Sequence, residues 1–192
     1  MKYKKLILPA ALFVLFIVLL VLFFASQGKE RTPDTSYADS LEEELSGEKE
    51  IETKEMVLFF VSEEDDLLRK EEREMPIDST KEHQVERLIQ ELILGSEEGW
   101  LSPFPPETKV KGIYVTKNRI AYIDFSSEFQ TGHPSGSSAE ISTIFSVVNS
   151  ITYNFKSIKK VFILVDGTEQ ETLAGHIDLR RPLLPRLDLI LD

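Results

Sequence analysis

Leu6 to Ala25 form an unbroken apolar run without a charge, preceded by Lys2, Lys4 and Lys5. Twenty helical residues at about 1.5 Å each span about 30 Å, the hydrocarbon thickness of a bilayer. Pro9 falls in the first turns, where proline disrupts a helix least. A cleaved signal peptide has a shorter apolar region, about 7–15 residues. Phe23-Phe24-Ala25-Ser26 also lacks the small residue three positions before a cut at Ala25. The pattern predicts an uncleaved transmembrane helix over 6–25, with a basic tip at 1–5 in the cytoplasm and the remainder outside. From Ser26 to about Glu55 apolar residues thin out to Leu41, Leu45 and Ile51 among Glu, Ser, Thr and Asp. That composition suits a flexible acidic linker over 26–55.

Apolar periodicity returns at Met56 and sustains one folded domain over 56–192. Met56–Val61 reads as a strand, Ser62–Asp66 as a polar turn, and the charge-rich Leu67–Met75 as a strand pairing back at a sheet edge. Ser79-Thr80-Lys81-Glu82 has the form of a capping box before Val85, Leu88, Ile89, Leu92 and Ile93 at helical spacing, and Gly95 closes that helix. Lys109–Thr116 and Arg119–Phe125 read as a hairpin turning through Lys117-Asn118. After a polar loop, Ser137-Ser138-Ala139-Glu140 repeats the capping-box form. It opens a second helix with a buried stripe of Ile141, Ile144, Phe145, Val148, Ile151 and Phe155. Lys156, Lys159 and Lys160 follow its end, where positive charge suits the helix dipole. The run Val161–Val165 is too short for a helix and fits a strand covered on both faces, with Asp166-Gly167 as its turn. Thr168–Gly175 reads as hairpin-forming and His176–Asp192 as an irregular tail. The order is a hairpin and then αββαβ. It predicts an α+β fold, a small two-layer sandwich with a mainly antiparallel sheet and two helices, behind an N-terminal transmembrane helix.

Composition narrows the function. The formal net charge of −11 over 192 residues argues against nucleic acid or an anionic membrane surface as a partner. The chain has no cysteine, which excludes disulfides, thiolate catalysis and thiolate-held zinc together. His83, His133 and His176 have no metal-ligand spacing. Gly132-His133-Pro134-Ser135-Gly136 resembles a nucleophile elbow, but its serine is displaced and no strand feeds it. Asp124 and Glu128 form a carboxylate pair that could serve as acid and base. The simpler account has Asp124 or Ser126 bonding the loop that leaves the strand. No catalytic, cofactor-binding or metal-ligating residue is therefore assigned, and no cofactor is expected. The loop Ser96–Thr108 carries three prolines with Trp100, Leu101 and Phe104. Trp100 and Phe104 are the candidate interaction surface, because exposed aromatics dominate binding energy; both could equally plug the core.

Several stretches resemble the GerMN domain family, named for a bacterial spore-formation and germination protein. They are Leu92-Ile93-Leu94-Gly95 with Leu101-Ser102-Pro103-Phe104-Pro105; Ala121-Tyr122-Ile123-Asp124-Phe125-Ser126; and Val161–Gly167 followed by Leu173-Ala174-Gly175-His176. Together they cover Val57 to about Leu183. The resemblance implies a small α/β domain outside the cytoplasmic membrane, similar to the ring-building modules of secretion and sporulation assemblies, with no established catalytic activity. One copy is present rather than two, behind an apolar run in place of a lipid-bearing cysteine. The expected protein is a single-pass, membrane-anchored bacterial envelope protein that is not an enzyme. Its domain would serve protein–protein interaction or self-assembly, with sporulation or germination as the setting. The alternative is an extracytoplasmic binding module for a cell-wall or small-molecule ligand.

Overall fold

The chain divides into two units, Met1–Glu50 and Ile51–Asp192. The computed structural model describes residues 51–191 of the second and, of the first, Phe23 alone. The basic tip, the anchor expected over 6–25 (Phe23 apart) and the linker as far as Glu50 lie outside the described residues. Among the described residues no helix is long and apolar enough to cross a membrane.

The predicted hairpin is present as β1 (Thr53–Val61) and β2 (Leu68–Pro76), antiparallel in the register Val57↔Glu72. β1 begins three residues ahead of the apolar run, because Thr53–Glu55 still find ladder partners in Glu74–Pro76. Helix α1 (Lys81–Leu94) follows. Thr80, not Ser79, is its N-cap and accepts from the His83 N–H at 3.2 Å. Its end is Gly95, whose φ of 103° favours glycine.

β3 (Val110–Val115) and β4 (Ile120–Phe125) form the second hairpin. The left-handed residue in its turn is Arg119 (φ 66°), not Asn118. The Arg119 N–H donates to Thr116 O, giving a tight turn followed by one left-handed residue, a three-residue hairpin loop. A short α2 (Glu128–Thr131) and a long α3 (Ser137–Asn154) come next, then β5 (Lys160–Val165). β6 (Thr168–Glu169) closes back on β5 across Asp166-Gly167. Both turn residues have positive φ (50° and 71°), as a type I′ turn requires. A single 3₁₀ turn (Leu187–Leu189) and β7 (Ile190–Leu191) end the described chain.

The fold is α+β, as the pattern predicts, but the strands form two sheets rather than one, and a third helix, the single-turn α2, stands in the expected polar loop, where Phe129 is buried. The orders are β1-β2-β7 and β3-β4-β5-β6. β4 and β5 run parallel over six residue pairs, from Ile120↔Lys160 to Phe125↔Val165, joined by the α2–α3 crossover. β2 is flanked by β7 only at Leu68 and Arg69, so it is an interior strand at its start and an edge beyond it.

The sheets separate because α3 occupies the outer edge of β1. Asn154 accepts from the Val57 N–H (2.9 Å) and donates to Val57 O (2.6 Å). Ser150 Oγ accepts from the Phe59 N–H at 3.0 Å, and Ser146 Oγ donates to Phe59 O. Residues four apart on a helix rise about 6 Å, close to the two-residue repeat of a strand, so one polar stripe replaces a partner strand. The same stripe explains why α3 is buried on nearly every side rather than along the apolar stripe alone. Ser150→Ala strands the buried Phe59 N–H, and the expected loss is about 1–3 kcal/mol in a denaturant melt.

Candidate interaction surface

The loop after α1 is pinned from below by charge. β2 presents Arg69, Glu71, Arg73 and Met75 on one face, and Glu71 and Arg73 are buried. The Arg73 guanidinium donates to Glu71 (Nε–Oε1, 2.7 Å), to Glu91 Oε2 (2.8 Å) and to Gly95 O (2.6 Å). Glu71 in turn accepts from the Ser96 hydroxyl and the Glu97 N–H. Burial alone would raise the Glu71 carboxyl, but the Ser96, Arg73 and Glu97 donors outweigh it and hold the carboxyl below its ordinary value.

On this base the Trp100 ring stands half-buried. The Arg69 guanidinium lies over it at 5.8 Å, and its Nε1–H donates to Glu98 Oε2 at 3.3 Å. Arg69 Nη1 is buried without a hydrogen-bond partner among the described residues. Leu101 makes two backbone bonds to Val61 and keeps 45% of its surface exposed. Beside it Val61, Asp66, Leu101, Ser102, Pro103 and Pro134 wall a groove of about 140 Å³. That is well below the roughly 300–1,000 Å³ of small-molecule sites.

The two candidate residues thus separate. Trp100 is half-buried, packed against the core on one side and open on the other. Phe104 is only 6% exposed, and its ring packs against Phe125 (5.8 Å) and Phe129 (5.7 Å), where it plugs the core as the second reading expected. Arg69 and Leu101, which the sequence analysis did not assign to this surface, flank Trp100. Period-two placement of Arg69 with Glu71 and Arg73 was the available signal for the first.

The chemistry weighed from the sequence is absorbed by structure. Asp124 accepts from the Gly167 N–H (2.8 Å), while Ser126 Oγ accepts from the Lys109 N–H (3.0 Å). The Ser126 hydroxyl holds the Glu128 carboxyl below its ordinary value, so Asp124 and Glu128 serve separate partners. His83 sits in the first turn of α1, His133 Nε2 meets Thr143 Oγ1 at 2.9 Å, and His176 Nδ1 meets Glu140 at 3.0 Å. Ser135 is exposed in the loop before α3. Among the described residues no cluster of three His, Asp or Glu side chains is arranged to hold a metal.

The second capping box does not form. Gly136 takes the cap position, Ser138 Oγ donates to Asp66 Oδ2 (2.7 Å), and Glu140 turns fully inward. Its carboxylate accepts from the N–H groups of Leu173 (2.9 Å), His176 (2.7 Å) and Ile177 (3.2 Å), and so ties the post-β6 loop to α3.

The family model for Germane, described as sporulation and spore germination, matches residues 57–171. The chain belongs to the Germane family. The matched region runs from β1 through β6 into the Glu140-tied loop, so the candidate surface and all three α-helices lie within the Germane domain. Two solved structures share its fold. The tandem GerMN domains of the sporulation protein GerM from Bacillus subtilis align with a TM-score of 0.54 and 20% identity, covering 71% of this chain and 48% of that one. The first GerMN domain alone aligns at 0.53 and 20% identity, covering 71% and 100%. This chain therefore spans about half of the tandem structure and the whole of the single domain. A Clostridium perfringens protein described as a candidate lipoprotein aligns at 0.49 with 29% identity, covering 70% and 89%. No curated protein matches the chain.

Proposed function

We propose that this Germane domain is a non-catalytic interaction module. In this reading it is carried outside the cytoplasmic membrane on a single N-terminal anchor and joins envelope proteins, or copies of itself, in a sporulation- or germination-type assembly. The observation that carries the reading is the Trp100–Leu101 surface. Leu101 is exposed and Trp100 half-buried beside it, on a loop whose first residues, Gly95 and Ser96, are bonded to the buried Arg73 and Glu71. A surface so preorganised loses little entropy on binding, which is how small aromatic patches become hot spots. The apolar run 6–25 and the lysines before it support the anchor and its orientation.

The test separates binding from folding. Trp100→Ala is expected to weaken complex formation at least about tenfold while costing only about 1 kcal/mol of stability, the scale of an exposed cation–π contact with some packing. Phe104→Ala is expected to cost about 3–5 kcal/mol, as core aromatics do. A Trp100→Ala protein that melts as low as Phe104→Ala would assign Trp100 to the core and remove the surface.

One observation favours the ligand-binding alternative. A groove of about 470 Å³ between α1 and the start of β3 is lined by Gln90, Ile93, Leu94, Thr108, Lys109 and Val110. Thr108 Oγ1 is buried there without a hydrogen-bond partner among the described residues. Cell-wall fragments that raise the melting temperature of the wild type but not of Thr108→Val would move the assignment to this reading.

A further inference from the structure

In a chain of net charge −11, the described cations without an acidic partner are not spread evenly. Lys117 and Arg119 lie in the β3–β4 turn, Lys156 and Lys159 in the α3–β5 connection, and Lys160 at the start of β5. The two segments are in contact. Arg119 donates to Lys156 O (2.7 Å) and Ser157 O (3.2 Å), and Arg119 O accepts from the Lys159 N–H (2.8 Å). All five side chains are exposed, and among the described residues none of them is in an ion pair. Two apolar groups border them. Tyr153, 41% exposed, lies under the Lys156 ammonium at 4.7 Å. Leu184, 59% exposed, follows Leu183, which bridges Val161 beside Lys160.

At the opposite end the C-terminal ends of β4 and β5 carry Asp124 and Asp166 with Glu128 nearby, Lys111 pairs with Asp166 (2.7 Å), and Asp66 meets the N-terminal turn of α3. These carboxylates outnumber Lys111, so that end is the negative one. Its chain begins at the positive end: Val57 is bonded to Asn154 in the last turn of α3, so β1 runs back from there to Thr53. Glu52, Glu55 and Glu74 stand with Lys54 on the hairpin side of that end, which leaves the unbalanced positive charge on the β4–β5 side.

We propose that this end is a docking surface for anionic phospholipid headgroups. The proposal rests on the membrane-anchored reading above. The chain enters the folded unit at Thr53, and the end at which it enters is the one that carries the cations. Lysine and arginine beside a membrane gain from anionic lipid, and exposed tyrosine and leucine suit the interface. The overall negative charge disfavours binding from solution at long range. The tether supplies the proximity, and the patch then fixes orientation, leaving Trp100 and Leu101 free for a protein partner.

The chain has no cysteine, so Ser157→Cys in full-length protein takes a single fluorophore at the centre of the patch, and Glu63→Cys takes one in the β1–β2 turn by the negative end. Both proteins are reconstituted into vesicles of phosphatidylcholine alone, or with about 30 mol% phosphatidylglycerol, plus a headgroup quencher. The Ser157 label is expected to be quenched at least about threefold more in the anionic vesicles, and the excess to vanish in roughly 0.5 M salt. Lys156→Glu with Lys159→Glu should abolish it, as should the milder Lys156→Gln with Lys159→Gln, with circular dichroism unchanged. The Glu63 label should not respond. Equal quenching in the two compositions, or an equal response at Glu63, overturns the proposal. Protection of Ser157 that follows protein concentration and not lipid also overturns it, in favour of head-to-tail contact between copies. Failure of the anchor shows separately, as protein washed from both kinds of vesicle in high salt. The same protein held on the vesicles by an N-terminal histidine tag and a nickel-chelating lipid should then still show the anionic-lipid-dependent, salt-sensitive quenching, and its absence would overturn the patch.

Discussion

Glu140→Gln is expected to destabilise the folded unit by about 3 kcal/mol, because three backbone donors and a histidine ring lose a buried carboxylate acceptor. In a unit of this size that is a drop of roughly 10 °C in melting temperature. Glutamine keeps the shape of the side chain, but its amide brings N–H donors against N–H donors. Glu140 is 0% exposed, so water cannot repair the mismatch. Burial by itself would push this carboxyl up, and the backbone N–H groups around it outweigh burial and hold it below its ordinary value. Glu71 is held down in the same way by Ser96, Arg73 and Glu97. Both groups therefore bind protons more weakly when folded than when unfolded. Their contribution is fully present above the unfolded value of about 4.3 and is lost as pH falls through the lower folded values. Melting temperature against pH should fall steeply in acid for the wild type and less steeply for Glu140→Gln. Parallel curves would show that Glu140 does not carry this dependence.

Arg73→Ala is expected to cost about 3–5 kcal/mol, since it leaves Glu71 buried and charged without its cation. Glu71→Ala should cost a similar amount by stranding Arg73 and freeing the Ser96 hydroxyl and the Glu97 N–H. The informative protein is the double variant Glu71→Met with Arg73→Met. Replacing both charges removes the uncompensated ion, so the double should recover at least about 2 kcal/mol over either single. It should still bind partners less well than the wild type, because the loop that holds Trp100 outward loses its anchor at Gly95 and Ser96. Additive single and double losses in a denaturant series would mean that the pair is not coupled.

The elements that the apolar rhythm marks are the ones found. The Met56 strand, both helices, the β3–β4 hairpin and the Val161 strand stand where the periodicity places them, because each buries a face or both faces. What could not be read was polar pairing at long sequence distance. Ser146, Ser150 and Asn154 look like helix-surface residues until β1 lies alongside them, and that contact decides between one sheet and two. Glu140 has the spacing of a capping residue and the burial of a core one, and only the returning loop after β6 shows which. Charge at Glu71 and Arg73 reads as edge protection, and β2 is an edge beyond Arg69, yet both side chains are buried beneath the loop after α1. The aromatic loop was legible as ordered, since three prolines and three large apolar groups do not make a linker. Which aromatic faces outward depended on the Phe125–Phe129 stack, with rings 4.3 Å apart, that receives Phe104.

The central claim is that the Trp100–Leu101 surface contacts protein in the cell envelope. It is tested most directly by a photo-crosslinking residue placed at Leu101 in the full-length protein in living cells, with Glu82 in the first turn of α1 as the control position. The account predicts a discrete protein adduct at Leu101, either an envelope component or a second copy of this chain. The adduct should be absent at Glu82 and lost when Trp100→Ala is added. Crosslinks to cell-wall fragments alone, or the same adducts from both positions, would contradict it.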